Sequence, residues 1–180
     1  LHRLAIENTK DNLEREQGYQ SRDLARLEQN MKSIDRRYDE KIDQEILLAM
    51  LKHYIALPKA ERLASFDAFF AITNVTTATF DEKVLRKKIA RMYGNTQLNS
   101  QTQRLALMNK SVEYFNASND PFIQLAVSSF NERKAIEEAD KALTGDIQAL
   151  RPQYMAALIA YYNDHNLPVY ADANSTLRIP

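Results

Sequence analysis

Three glycines in 180 residues constrain this chain more than any other feature of its sequence. Glycine is the default residue for left-handed backbone, for two-residue hairpin turns and for loops that cradle phosphate. With so few glycines, and only five prolines, the chain has little material for all-β folds, Rossmann domains or P-loops. A helical fold is the expectation. Apolar residues make up 44% and charged residues 27%, ordinary globular usage, so neither a disordered tail nor a fibrous protein is indicated. A chain of this length forms one domain and buries roughly 70% of the surface its unfolded form exposes.

Charge narrows the function classes. Twenty-four basic residues balance twenty-four acidic ones, and residues 1–60 carry eleven of each sign, so no global field draws nucleic acid or anionic lipid. The longest uncharged stretch, 68–80, has 13 residues and is rich in Thr. A membrane-spanning helix needs about 20 mostly apolar ones. No partner of either kind, nucleic acid or membrane, is expected. The chain opens at Leu1, and residues 1–10 lack the apolar core of a signal peptide, so it is expected to be a piece of something longer.

Apolar residues at Leu27, Met31, Ile34, Tyr38, Ile42, Ile46, Met50 and Tyr54 fall in steps of three and four, predicting one long amphipathic helix from Leu24 that Pro58 ends. Upstream the stripe thins to Ile6, Leu13 and Leu24, with a bend expected near Gly18. Residues 59–79 read as an irregular connector with one or two short helices in 60–70. Thr79 with Glu82, and Ser100 with Gln103, match capping boxes that open helices over 80–93 and 101–116. Gly94 is the expected left-handed stop of the first, and Asn119-Asp120-Pro121 supplies an N-cap with Pro at the next helix's first position.

Ile136, Leu143, Ile147, Leu150, Tyr154, Leu158 and Tyr161 stay in phase across Pro152, predicting a kinked but continuous helix over 121–164. At 1.5 Å per residue it is roughly 60 Å long. The expected architecture is all-α: an elongated bundle of two long helices plus shorter ones, 1–166, followed by an extended tail over 167–180 with a turn at 171–174.

Catalytic chemistry is sparse. His2, His53 and His165 are dispersed and none follows a Glu by three residues, so the Glu-x-x-His pairs of di-iron bundles are missing. With no Cys there is no thiolate or disulfide, and no metal or other cofactor is expected. Asp35, Asp39 and Asp43 share a helical face but are surrounded by Lys32, Arg36, Arg37 and Lys41, and are read as a solvated ion-pair face. The basic cluster Lys83, Arg86, Lys87, Lys88 and Arg91 suits either a phosphate-contacting helix or simple complementation of the helix dipole, and the second is preferred. Phe66, Phe69, Phe70 and Phe80 form either a satellite core or an exposed docking patch. None of the nine serines lies between glycines in a nucleophile elbow.

The run Pro168-Val169-Tyr170-Ala171-Asp172-Ala173-Asn174-Ser175-Thr176-Leu177-Arg178-Ile179 is unusual for a helical protein. It resembles a signature of the bacterial dipeptidyl-peptidase VII and XI family, serine peptidases of chymotrypsin-like fold carrying a large helical insertion. Asn119-Asp120-Pro121-Phe122-Ile123-Gln124-Leu125-Ala126-Val127 and Arg151-Pro152-x-Tyr154-Met155-x-Ala157-Leu158 resemble the same family in the same order. Ala171 stands where the family has Pro, and Pro180 where it has Thr or Ser.

The resemblance implies that the catalytic His and Asp precede this chain and that the Ser follows it in a Gly-Asn-Ser-Gly context, so no catalytic residue is carried here. It further implies that this chain is the later, C-terminal part of the helical insertion, with 1–166 a lid over the substrate cleft of a periplasmic or otherwise exported enzyme. Residues 167–180 would then be a strap, hinge or plain connector, leading through Asp172, Ala173, Asn174, Ser175, Thr176, Leu177 and Arg178 to the catalytic β-barrel. The implied partners are that barrel in the same parent chain and the parent's peptide substrate, with a homodimer possible. The alternative is a helical interaction or sensor module with no enzymatic role, which a Gly-Asn-Ser-Gly downstream of Arg178 would exclude.

Overall fold

The computed structural model describes residues 1–169. These residues are all-α: nine α-helices joined by turns, with no strand among the described residues. The helices are α1 (His2–Glu7), α2 (Leu24–Ser33), α3 (Glu40–Ile55), α4 (Ala64–Phe70), α5 (Glu82–Asn95), α6 (Gln101–Leu107), α7 (Val112–Asn116), α8 (Pro121–Ser128) and α9 (Phe130–Asp164). The turn at 171–174 and the run beyond it lie outside the described residues. The chain divides into two compact units, Leu1–Glu132 and Arg133–Pro180.

In the first unit, side-chain oxygens open most helices longer than one turn. Asp39, Asp81, Ser100, Ser111 and Asp120 each accept a backbone amide of the helix they precede, and Pro121 follows Asp120 at the first helical position. Ser100 and Asp120 are the caps the sequence predicts. Thr79 is not: its hydroxyl accepts the Thr76 amide at 2.9 Å, and α5 is capped two residues later by Asp81, whose carboxylate also complements the helix dipole.

The helix expected to run unbroken from Leu24 past Tyr54 is interrupted. After α2 the chain makes a 3₁₀ turn, Ile34–Arg36, and Asp39, in extended conformation, starts α3 afresh. Tertiary contact overrides periodicity here. The buried Arg104 donates through Nε and Nη2 to the Met31 carbonyl at 3.1 and 3.0 Å, through Nη1 to the Leu98 carbonyl at 2.8 Å, and pairs with Asp35. A cation on the Met31 carbonyl, in the last turn of α2, closes that helix and leaves the next residues free to turn.

The same stretch presents a different face from the one its stripe predicts. Ile42, Ile46 and Met50 are 61%, 51% and 63% exposed, whereas Leu48, Leu51 and Ile55 are buried. These three pack with Leu85, Ile89, Met92 and Tyr93 of α5 and with Phe70 and Ile72 to form the main core. A second core joins Ala5, Leu107, Phe115 and Ile123 from α1, α6, α7 and α8.

Residues 59–79 are irregular but tightly bonded. Arg62 and Asp67 form a buried ion pair at 2.8 Å, and the same guanidinium donates to the carbonyls of Ile72 at 2.6 Å and Val75 at 3.1 Å. These bonds fix the reversal after α4, where Ala71 takes a left-handed conformation (φ 57) and the Ile72 amide reaches back to the Asp67 carbonyl. Phe70 is fully buried, with Phe66, Phe69 and Phe80 packed against the same core, so the aromatic cluster is core and not a docking patch.

Three further boundaries differ from expectation. Gly94 lies inside α5, which continues to Asn95, and is not a left-handed stop. The helix expected over 101–116 is two, because Ser111 caps a new start at α7. The helix expected over 121–164 breaks at Ser129, whose hydroxyl donates to the Leu125 carbonyl at 2.7 Å and competes with the backbone ladder.

Almost all of the second unit's described structure is α9, which runs 35 residues and passes through Pro152, as the phased stripe predicts. None of its residues is buried. It closes with Asn166 in a left-handed conformation and the Leu167 amide bonded to the Tyr162 carbonyl at 2.8 Å.

Candidate functional site

A groove of about 1140 Å³ opens in the first unit between α5 and the corner joining α7 to α8. Its floor is apolar, from Met92, Leu107 and Ile123, all buried. One wall is the α5 face carrying Lys87, Lys88 and Arg91. The other carries Tyr114, Asn119, Asp120 and Gln124.

The corner is held open by local chemistry. Asp120 Oδ1 accepts the amides of Phe122 and Ile123 at 3.0 and 3.3 Å, while Oδ2 accepts the Thr96 hydroxyl and the Gln97 amide, each at 2.8 Å. One carboxylate thus caps α8 and ties the loop after α5 to it. Behind the groove, the Tyr93 ring meets Phe122 edge-on at 5.0 Å and its hydroxyl donates to Asp43, so α3, α5 and α8 are locked together. Burial, followed by the Asp43 carboxylate, pushes the Tyr93 phenol well above its ordinary value. Lys88 is committed to the scaffold: its ammonium donates to the Phe69 carbonyl, lies over the rings of Phe69 and Phe70, and has its pKa lowered by burial.

The structure separates most of the residues that the sequence singles out. Asp35 pairs with Arg104, Asp39 caps α3, and Asp43 accepts from Tyr93, so the three aspartates serve three different contacts. His2 is buried between Phe115 and Phe130, His53 is exposed, and His165 Nδ1 contacts the Tyr161 carbonyl at 2.8 Å. No serine hydroxyl is hydrogen-bonded to a histidine among the described residues. The basic cluster splits. Arg86 is held by Glu45 and Glu82, while Lys87, Lys88 and Arg91 face the groove. The motif Asp172 to Arg178 lies outside the described residues.

Sequence reasoning missed the α7–α8 wall and the two buried arginines, Arg62 and Arg104. Asp120 was visible as a cap, but nothing in its spacing from Arg91 shows that the two line one groove. The buried arginines carry no sequence signal, since their neighbours read like any solvated turn or amphipathic helix.

The sequence profile of the peptidase S46 family matches residues 1–180. The chain belongs to the peptidase S46 family. It is 42% identical over 179 residues to an Asp/Glu-specific dipeptidyl-peptidase of Shewanella putrefaciens (strain CN-32), a match that covers 99% of this chain and 23% of that relative. The chain therefore spans about a quarter of the length of the curated relative it matches. No helix among the described residues is long and apolar enough to cross a membrane.

Proposed function

We propose that this chain is the helical lid segment of an exported serine-type dipeptidyl peptidase of the VII and XI kind, a parent that releases dipeptides from peptide N-termini. The supporting observation is the match to the S46 family across residues 1–180 of a chain that is all-α over its described residues, together with 42% identity to a dipeptidyl-peptidase of which it spans under a quarter. A helical segment of that relative size suits a lid: it limits how far a substrate enters the cleft and excludes water from the reacting carbonyl. The nucleophile, its base and the second β-barrel lie elsewhere in the parent, reached through Asp172 to Arg178, and the isolated chain is catalytically silent.

The test is direct. The parent protein should release N-terminal dipeptides, with Asp or Glu at the cleaved residue, in a reaction that a serine-directed inhibitor stops; its activity should fractionate with the periplasm. Chain 1–180 alone should release none. Turnover by the isolated chain, or a parent without dipeptide release, would overturn the reading. The rival, an interaction module without enzymatic role, draws on the exposed apolar stripe of α9. A parent sequence lacking Gly-Asn-Ser-Gly after Arg178 would favour it.

A further inference from the structure

The cations of the groove are left uncompensated by the protein. Lys87 and Arg91 are both exposed, stand one turn apart on α5, and neither is paired with a carboxylate among the described residues. Arg86 on the same helix is held by Glu82 and Glu45, and Glu82 also holds Lys52 of α3 at 2.6 Å; Lys83 is exposed and, like Lys87 and Arg91, makes no carboxylate pair among the described residues, but it lies outside the groove. Among the described residues Asp120 is the one acidic residue lining the groove, and both its oxygens are already engaged by backbone amides and the Thr96 hydroxyl. It caps α8 and makes no ion pair with Lys87 or Arg91 among the described residues.

The remaining polar surface suits an extended main chain. Asn95, Gln97, Asn119 and Gln124 line the groove, and each amide offers a donor and an acceptor, as a peptide backbone requires. The apolar floor accommodates a side chain between charged ones. We propose that this groove binds an acidic peptide segment, with Lys87 and Arg91 taking its carboxylates and the amides of Asn95, Asn119 and Gln124 its backbone. The choice of a peptide among anions rests on the dipeptidyl-peptidase reading. The uncompensated cations do not.

The experiment uses the parent protein and a fluorescent Glu-rich hexapeptide whose amino terminus is blocked, so that binding is read by anisotropy without turnover. The double variant K87E/R91E should weaken binding about tenfold or more, as expected for like charge placed against a carboxylate. A peptide with Gln in place of Glu should bind the original protein correspondingly weakly. K83E, an exposed change on α5 outside the groove, should leave the curve in place. K87Q/R91Q, which removes charge without reversing it, should give an intermediate loss and guards against a folding artefact.

Equal binding of the Glu and Gln peptides, or an unchanged curve for K87E/R91E, overturns the proposal. So does displacement of the peptide by millimolar inorganic phosphate as readily as by unlabelled peptide, which would make the groove a general anion site. Dipeptide release by the unaltered parent is measured separately. Its absence with binding intact sinks the peptidase reading, whereas release with binding unaffected by K87E/R91E sinks only the groove.

Discussion

α3 and α9 are both read from the sequence by an apolar stripe, yet they use their stripes differently. Of α3, Leu48, Leu51 and Ile55 are buried against α5, while Ile42, Ile46 and Met50 stay largely exposed. Of α9, Ile136, Leu143, Ile147, Leu150, Tyr154 and Tyr161 hold one phase over many turns and are all exposed. Periodicity reports which residues share a face. It does not report what covers that face, because cover is supplied by residues distant in sequence.

The largest expected effect tests this contrast. Leu51 of α3 is 1% exposed and fills the main core, so Leu51→Ala should lower the unfolding free energy by about 2–5 kcal/mol. Ile147 is 58% exposed, and Ile147→Ala should change it by under about 0.5 kcal/mol. Urea unfolding of both variants gives the comparison. A loss of more than about 2 kcal/mol at Ile147 would show that the α9 stripe is covered and would erase the distinction.

What the sequence made legible follows the same division. The all-α class, the caps at Ser100 and Asp120, and the passage of α9 through Pro152 rest on local chemistry, and local chemistry is written in neighbouring residues. The break at 34–39 rests on Arg104, about seventy residues away in the chain, reaching the Met31 carbonyl. The order within 59–79 rests on one buried arginine. Of the candidate site, the basic face of α5 was legible as a cluster, but its choice between dipole complement and binding surface depended on the α7–α8 corner. That corner is brought opposite α5 by Tyr93 against Phe122 and by Asp120 on Gln97, contacts with no sequence period.

A middle-sized effect concerns Tyr93, the residue that locks α3, α5 and α8. Its phenol is raised above the ordinary value near 10 by burial and then by Asp43, so the neutral form is favoured in the folded chain. The stability this contributes is complete below pH 10 and is lost as pH rises toward the folded value. Tyr93→Phe should therefore flatten the alkaline limb of the stability curve, and in the folded chain it should delete the slowest-rising part of the tyrosinate absorbance. A variant that instead loses absorbance in the ordinary range near pH 10 would mean that Tyr93 ionises like an exposed phenol. Tyr38 and Tyr54 are raised mainly by burial too, so the comparison with the variant, and not the curve alone, isolates Tyr93.

The smallest effect separates the two regions most finely. Gly94 in α5 and Gly145 in α9 are both helical, and a Cβ added at either meets nothing within 4 Å. Replacement by Ala should gain about 0.5–1 kcal/mol of helix stability at each, because Ala loses less conformational freedom and fits helical backbone. The two gains should be read in different places. Gly94→Ala strengthens a helix whose Leu85, Ile89, Met92 and Tyr93 belong to the main core, so the global unfolding midpoint of the first unit should rise. Gly145→Ala strengthens a helix with no buried residue, so the gain should appear as slower amide exchange around residue 145 while that midpoint stays in place. If Gly145→Ala raises the midpoint as far as Gly94→Ala does, α9 melts together with the α3–α5 core. Its apolar stripe would then be stabilised by burial like the buried face of α3, and exposure would no longer distinguish the two helices.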